Sequence, residues 1–313
     1  SSLSRVACLM PQKRYADLEL PESCSWQEAV CLSTSELLKK GWNRPPAIEW
    51  FTYRISPGIL NPMQPKQRQA GYHPATRCVK YALSSPVLPH VKETAQFAEK
   101  IRRKLMGIHR NVKGGDPLLI SSRFSGKDSS GKPLHDHGHA FYLPLDEDHD
   151  NRIDHLLICV KQPFNESELI ALDRLGSIWQ HGNKPDVKLI LTEMSETAKT
   201  IWADTWVSTT PFVTARHYRR GRGTYEEWLT REIIQECEFH DLPAPRSVNW
   251  VPWTLAGSHP IRWMQFARGK KDEKPFRGYG CILSFDKPVP GPFALGARCH
   301  YGLGLFMPMP EAL

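Results

Sequence analysis

Apolar residues recur along most of the chain in two rhythms. Over residues 89–106, Val91, Ala95, Ala98, Ile101 and Leu105 return at three- and four-residue steps, which puts them on one stripe of a helix. Gly107 stands where such a helix is expected to end. Residues 78–83, 139–144, 153–160 and 187–194 are short apolar runs rich in branched and aromatic side chains, and each predicts a strand. Residues 118–124 read as a further strand-like run. Residues 146–151 have the composition of a turn, with Asn151 suited to positive φ, so the strands on either side form a hairpin. Asn165 followed by Glu168 is a capping box that opens a helix through Leu169, Leu172, Leu175 and Trp179. The order over 78–194 is β-α-β-β-α-β, the ferredoxin-like or RRM-like arrangement.

The order starts again after Trp206. Residues 210–216 predict a strand, and Thr224 with Glu227 caps a helix through Leu229, Ile233 and Cys237. Residues 247–254, 261–268 and 280–285 predict strands, one more than the pattern needs. Residues 292–301 fill the place of the second helix, and 305–309 close the sheet. The expected fold class is therefore α+β with tandem ferredoxin-like domains at 77–200 and 205–313. An N-terminal segment and linker occupy 1–76, with a helix near 25–40, a strand near 48–55 and a Pro/Gln/Lys/Arg-rich linker over 56–74.

With 313 residues, 40% of them hydrophobic and 24% charged, the chain can bury more than one core. No apolar run approaches the ~20 residues that span a bilayer, so no membrane partner is expected. A chain that opens on Ser1 without Met reads as a processed form or a piece of something longer. Eight cysteines with no CxxC pair read as reduced core residues of a cytoplasmic protein. A net charge of +8 favours a polyanionic partner.

Four stretches carry candidate chemistry. His135, His137 and His139 alternate at a strand mouth, and in an extended chain residues two apart share a face. They suit a catalytic imidazole, with a solvated His-rich loop or a zinc site short of ligands as the other readings. Asp146, Asp148, Asp150 and Asp154 copy the early positions of a calcium loop, but Leu157 stands where the bidentate Glu belongs, so the stretch reads as a turn. Arg216, His217, Tyr218, Arg219, Arg220 and Arg222 join phosphate-binding forks to a ring that can stack on a base; the bland reading is a solvated basic loop. Gly302 and Gly304 alternate with leucines near the end, as in either an anion-binding loop or a plain turn.

The run from His137 through Pro144 and Asp146 to Leu157, then Thr210-Pro-Phe-Val, Arg216-His217, and His300-Tyr-Gly-Leu-Gly-Leu-Phe306, resemble the type I-G CRISPR family. Its members fuse a Cascade backbone subunit to a repeat-processing endoribonuclease. The likeness covers roughly residues 76–310, and the ~75 residues before it are few for a complete backbone subunit. The resemblance implies a tandem ferredoxin-like RNA-binding fold, the repeat stem-loop of precursor CRISPR RNA and other Cascade subunits as partners, and neither cofactor nor metal. The histidines at the strand mouth and the incomplete metal set motivate metal-independent attack of a ribose 2′-OH on the adjacent phosphorus, leaving 2′,3′-cyclic phosphate and 5′-OH ends. His137 is the first candidate for base or acid, His139 the second and His135 the third, with Tyr142 as a partner. Lys132 or Arg123 would stabilise the phosphorane, and His300, Gly302 and Gly304 would meet RNA. Two rivals stand beside this: a non-catalytic CRISPR RNA-binding subunit, and a metal nuclease built on Asp146, Asp148 and Asp150.

Overall fold

The computed structural model describes residues 3–9, 31, 33–39, 48–54, 75–128, 130–134, 138–180, 185–197, 201–219, 223–266 and 277–309. The chain forms two compact units, Ser1–Gly71 and Tyr72–Leu313. In the first, β1 (Leu3–Leu9) pairs antiparallel with β2 (Ile48–Arg54), in register from Leu3 opposite Arg54 to Leu9 opposite Ile48, and α1 spans Thr34–Lys39. The linker expected over 56–74 lies outside the described residues.

The second unit holds both predicted halves. Its first half runs β3 (Cys78–Ser84), α2 (Thr94–Val112), a short α3 (Ser122–Ser125), β4 (Phe141–Leu145), β5 (His155–Cys159), α4 (Glu166–Asp173), β6 (Ser177–Ile178) and β7 (Val187–Ser195). The sheet order is β4-β5-β3-β7-β6, antiparallel throughout. Numbering the four main strands in chain order, this is second, third, first, fourth, which is the ferredoxin-like topology. Helices α2 and α4 cover one face, where Tyr81, Phe97, Ile101, Leu105, Leu156 and Ile158 are buried together. The Asn165–Glu168 capping box is present, as is φ +69° at Asn151.

The second half repeats the order with β8 (Ile201–Ser208), a short β9 (Phe212–Val213), α5 (Tyr225–Phe239), β10 (Ser247–Val251), β11 (Gly278–Gly291), β12 (Phe293–Ala294) and β13 (Leu305–Pro308). Its main path, β10-β11-β8-β13-β12, again places second, third, first and fourth strands side by side. The chain is thus α+β with tandem ferredoxin-like halves. The sheets meet at an apolar seam in which Leu143, Leu145 and Leu157 pack with Ala294, Cys299 and Leu305. Among the described residues no helix is long and apolar enough to cross a membrane.

Several elements differ from the sequence expectation. Residues 118–124 form a 3-10 turn (Pro117–Leu119) and α3, not a strand, because Asp116 caps the Leu118 amide at 2.8 Å and Pro117 takes the first helical position. The helix from 165 stops at Asp173, so Trp179 lies beyond it. The second half begins with β8 rather than at Thr210, where only β9 pairs. No strand occupies 261–266. That segment makes a 3-10 turn (Trp263–Gln265), and Ile261, Trp263 and Phe266 insert as anchors into the first half's core. The second helix expected at 292–301 is replaced by β12 and a 3-10 turn (Cys299–Tyr301). Left-handed φ at Gly296 (+88°), Arg298 (+67°), Gly302 (+75°) and Gly304 (+65°) breaks helical continuity there.

Gly107 does not end α2, which continues to Val112 and stops before Gly114 (φ +78°) and Gly115 (φ +93°). A Cβ at Gly107 would meet nothing within 4 Å. Gly107→Ala is therefore expected to stabilise the protein by about 0.5–1 kcal/mol through lower unfolded-state entropy, read as a higher urea midpoint at unchanged slope.

Candidate active site

His139 enters β4 on the same face as Phe141, as residues two apart in an extended chain must. The Ala140 amide between them donates to the Arg123 carbonyl at 2.9 Å, which fixes the strand's entry beside α3. His300, from the Cys299–Tyr301 turn of the other half, slots between the two rings. Its imidazole stacks on His139 at 3.6 Å and 19°, and on Phe141 at 3.9 Å and 24°. His240, at the C-terminal end of α5, meets Phe141 edge-on at 5.9 Å. His300 Nδ1 lies 3.2 Å from the Ala140 carbonyl. A carbonyl can only accept, so that nitrogen carries a proton. His300 is 7% exposed while His139 is half-buried, so His139 is the ring within reach of a ligand.

The turn that delivers His300 is pinned by four hydrogen bonds to three residues, Glu236, Val213 and Thr210. The Gly296 amide donates to Glu236 Oε2 (3.0 Å) and the Ala297 amide to the Val213 carbonyl (2.8 Å). Burial pushes the Glu236 carboxyl upward, against the pull of that amide bond. Thr210 Oγ1 donates to the Gly302 carbonyl (2.7 Å) and accepts from the Leu305 amide (2.8 Å). A Cβ on Gly302 would come within 2.8 Å of both Pro144 and Thr94, so glycine here lets the two halves close on each other. This revises the phosphate-cradle expectation. Gly302 and Gly304 are buried, and their amides donate to the carbonyls of Cys299 (3.0 Å) and Pro211 (2.8 Å).

Tyr142 does not join the histidines. Strand alternation sends it to the helix-covered face, where it is fully buried near Arg102 and Tyr301, and burial drives its hydroxyl far above the ordinary phenol range. That hydroxyl has no hydrogen-bond partner among the described residues. Arg123 is also committed elsewhere. Its guanidinium binds Glu168 at 2.9 Å and the Pro163 carbonyl, and Ser121 donates to the same Glu168, which is 1% exposed. Arg123 therefore ties α3 to the capping box of α4 and is not placed to meet a phosphorane. Lys132 is exposed, its backbone amide donating to Asp128. His135, His137, Arg220 and Arg222 lie outside the described residues.

Arg216, His217, Arg219, Trp228, Arg231, Glu232 and Gln235 line an open cleft of about 620 Å³ beside α5. Arg216 spans its wall, bound to Glu232 at 3.1 Å and to Gln235. His217 and Arg219 are exposed. Tyr218 donates its hydroxyl to the Gly223 carbonyl (2.9 Å), and its ring meets those of Tyr225 (5.2 Å) and Trp228 (5.7 Å). This gives a row of aromatic surface next to cationic side chains.

The acidic loop closes on itself. Asp146 accepts from the amides of Asp150 and Asn151, Asp150 from Arg152, and Asp154 from Glu147 and Asp148. The carboxylates that converge are those of Asp146, Asp148 and Asp154, within 4.8 Å of one another; Asp150 is not in the group. Burial pushes Asp146 up to about 6.

His240, beside the stack, and Arg298, at the start of the turn that carries His300, were not singled out from sequence. His240 carries no local motif, and only the fold brings a helix terminus to Phe141. Arg298 had a signal within reach, as a non-glycine residue between Gly296 and Gly302, and its left-handed backbone marks it.

No protein-family model matches the chain, and no curated protein matches its sequence. Among solved structures, that of a Cas6-related gene from Pyrococcus furiosus aligns with 76% of this chain and 100% of its own, at 12% identity and a TM-score of 0.40. A RAMP protein binding different RNA substrates aligns with 75% of this chain and 100% of its own, at 13% identity and 0.34. The CRISPR RNA processing endoribonuclease Cas6b covers 73% of this chain and 97% of its own, at 11% identity and 0.30. The tandem topology itself rests on the strand order given above.

Proposed function

We propose that this chain is an endoribonuclease that cuts precursor CRISPR RNA within its repeat by attack of the ribose 2′-OH on the neighbouring phosphorus. The observation that carries this reading is the stacking of His139 on His300 across the two ferredoxin-like halves. Two imidazolium charges this close repel, so the stack disfavours double protonation and keeps a neutral imidazole available as a base. Half-buried His139 takes the 2′-OH proton, and the imidazolium so formed returns it to the 5′-oxygen, which releases the downstream strand. His300, held by Ala140, orients His139 by stacking flat against its ring. Arg298, two residues before His300 in the same turn, is the cation assigned to the phosphorane. Arg219, Arg231 and the ring of Trp228 grip the RNA along the cleft, by charge and by stacking on unpaired bases. His137, the first candidate from sequence, would share the face of His139 if the strand extends back to it.

The test is end-labelled repeat RNA incubated with the full chain in excess chelator, beside the same RNA carrying a single 2′-deoxyribose at the scissile position. Cleavage to 2′,3′-cyclic phosphate and 5′-OH ends is expected for the ribose substrate alone, with both substrates bound equally. Cutting of the deoxy substrate would overturn the mechanism. Tight binding without cutting of either would leave the RNA-binding subunit in its place, and activity abolished by chelator would point to the converging aspartates.

A further inference from the structure

We propose that Cys78 and Cys159 are a redox modification site, closing into a disulfide across two neighbouring strands when a small disulfide such as oxidised glutathione reaches them. The two residues face each other in the antiparallel pairing of β3 with β5. Backbone bonds fix which kind of pair they form. The Val160 amide donates to the Arg77 carbonyl (3.0 Å) and the Leu83 amide to the Asp154 carbonyl (2.8 Å). The odd-numbered residues of β3 therefore carry the hydrogen bonds to β5, and Cys78 lies opposite Cys159 in a non-hydrogen-bonded pair. Such pairs hold Cα atoms about 4.5 Å apart, inside the disulfide range, with side chains at their closest. Here the sulfurs are already in contact at 2.6 Å, with no other atom between them.

An oxidant has a route in. Cys159 is partly exposed, and Cys78 lines a mostly apolar cleft of about 150 Å³ with Lys80, Glu147, Ile201, Pro292 and Met307. The reaction balances in two steps. One cysteine, as thiolate, attacks a sulfur of the oxidant and expels one glutathione thiolate, giving a mixed disulfide. The second cysteine then displaces the other glutathione, so two protein thiols lose two electrons and two protons while one glutathione disulfide becomes two thiols. The hydrogen bond with Cys78, then burial, push Cys159 well above the ordinary thiol range, so closure is slow near neutral pH and quickens as pH rises. Because Cys159 also pairs with Phe141, the bridge forms one strand away from the imidazole stack, without depending on the nuclease reading.

The full native chain, incubated with oxidised glutathione at mildly alkaline pH, should be quenched in acid, denatured, alkylated and mapped by peptide mass. A cross-linked peptide joining residues 78 and 159, with both lost from the alkylated pool, is the expected result. In Cys78→Ser the cross-link disappears while Cys159 remains in the alkylated or glutathione-bound pool. Exposed Cys31 reports that the oxidant acted. Glutathione on Cys31 with Cys78 and Cys159 both fully alkylated would overturn the proposal, as would either residue joined to a different cysteine.

Discussion

Replacing His139 by alanine is expected to slow single-turnover cleavage of repeat RNA by about 10²- to 10⁴-fold, the usual contribution of a positioned proton carrier. RNA affinity should stay within a few-fold, because the ring is half-buried and the cationic cleft is untouched. Since His139 packs on His300, His300→Ala is expected to fall to a similar level, and the double variant little further, because groups that act as a unit do not lose activity additively. The pH profile supplies a second readout. The wild-type rate should vary with pH while binding stays flat, and His139→Ala should remove that variation. Wild-type rates in His139→Ala would remove this imidazole from the mechanism and return the assignment to His135 or His137.

The part of this site legible in sequence is the part that depends on local geometry. Alternation put His139 and its neighbours on one strand face, and the same rule, applied to Tyr142, separates it from them. The two capping boxes, Asn165 with Glu168 and Thr224 with Glu227, are four-residue patterns that need no tertiary context, and both form. The main strands and the two main helices of the first half read correctly because each follows a single period, whereas 118–124 reads as a strand despite its local Asp116–Pro117 cap. Errors cluster where long-range packing overrides a local rhythm. Ile261, Trp263 and Phe266 alternate poorly yet bury fully, because their partners lie in the other half's core. Residues 292–301 stand in the place of a second helix, but the glycines within and just after them serve close approach to distant backbone. Arg123 looked available for phosphate because nothing in its neighbourhood announced Glu168, which is 45 residues away. The His139–His300 contact spans 161 positions, and no pattern along the chain announces a contact at that range.

That close approach yields the second large effect. Gly304 has φ +65°, and a Cβ there would lie 2.0 Å from the Leu295 carbonyl oxygen and 3.1 Å from its carbon, so the neighbour that must yield is backbone. The same contact carries the Leu295 amide to Gly304 carbonyl bond at 2.9 Å, which joins β12 to β13 next to the turn bearing His300. Gly304→Ala is expected to destabilise the protein by roughly 3 kcal/mol or more, adding steric displacement to the cost of a left-handed alanine. Gly114→Ala isolates the second term. Its φ is +78° with nothing within 4 Å of a Cβ, so only about 1 kcal/mol should be lost. Urea unfolding followed by tryptophan fluorescence measures both. The difference between them reports how tightly the turn holds His300, because a turn able to shift aside would absorb the added methyl. Equal midpoints for the two variants would mean that the turn is free to move, and an imidazole carried on a mobile turn cannot hold His139 in the fixed geometry that proton transfer requires.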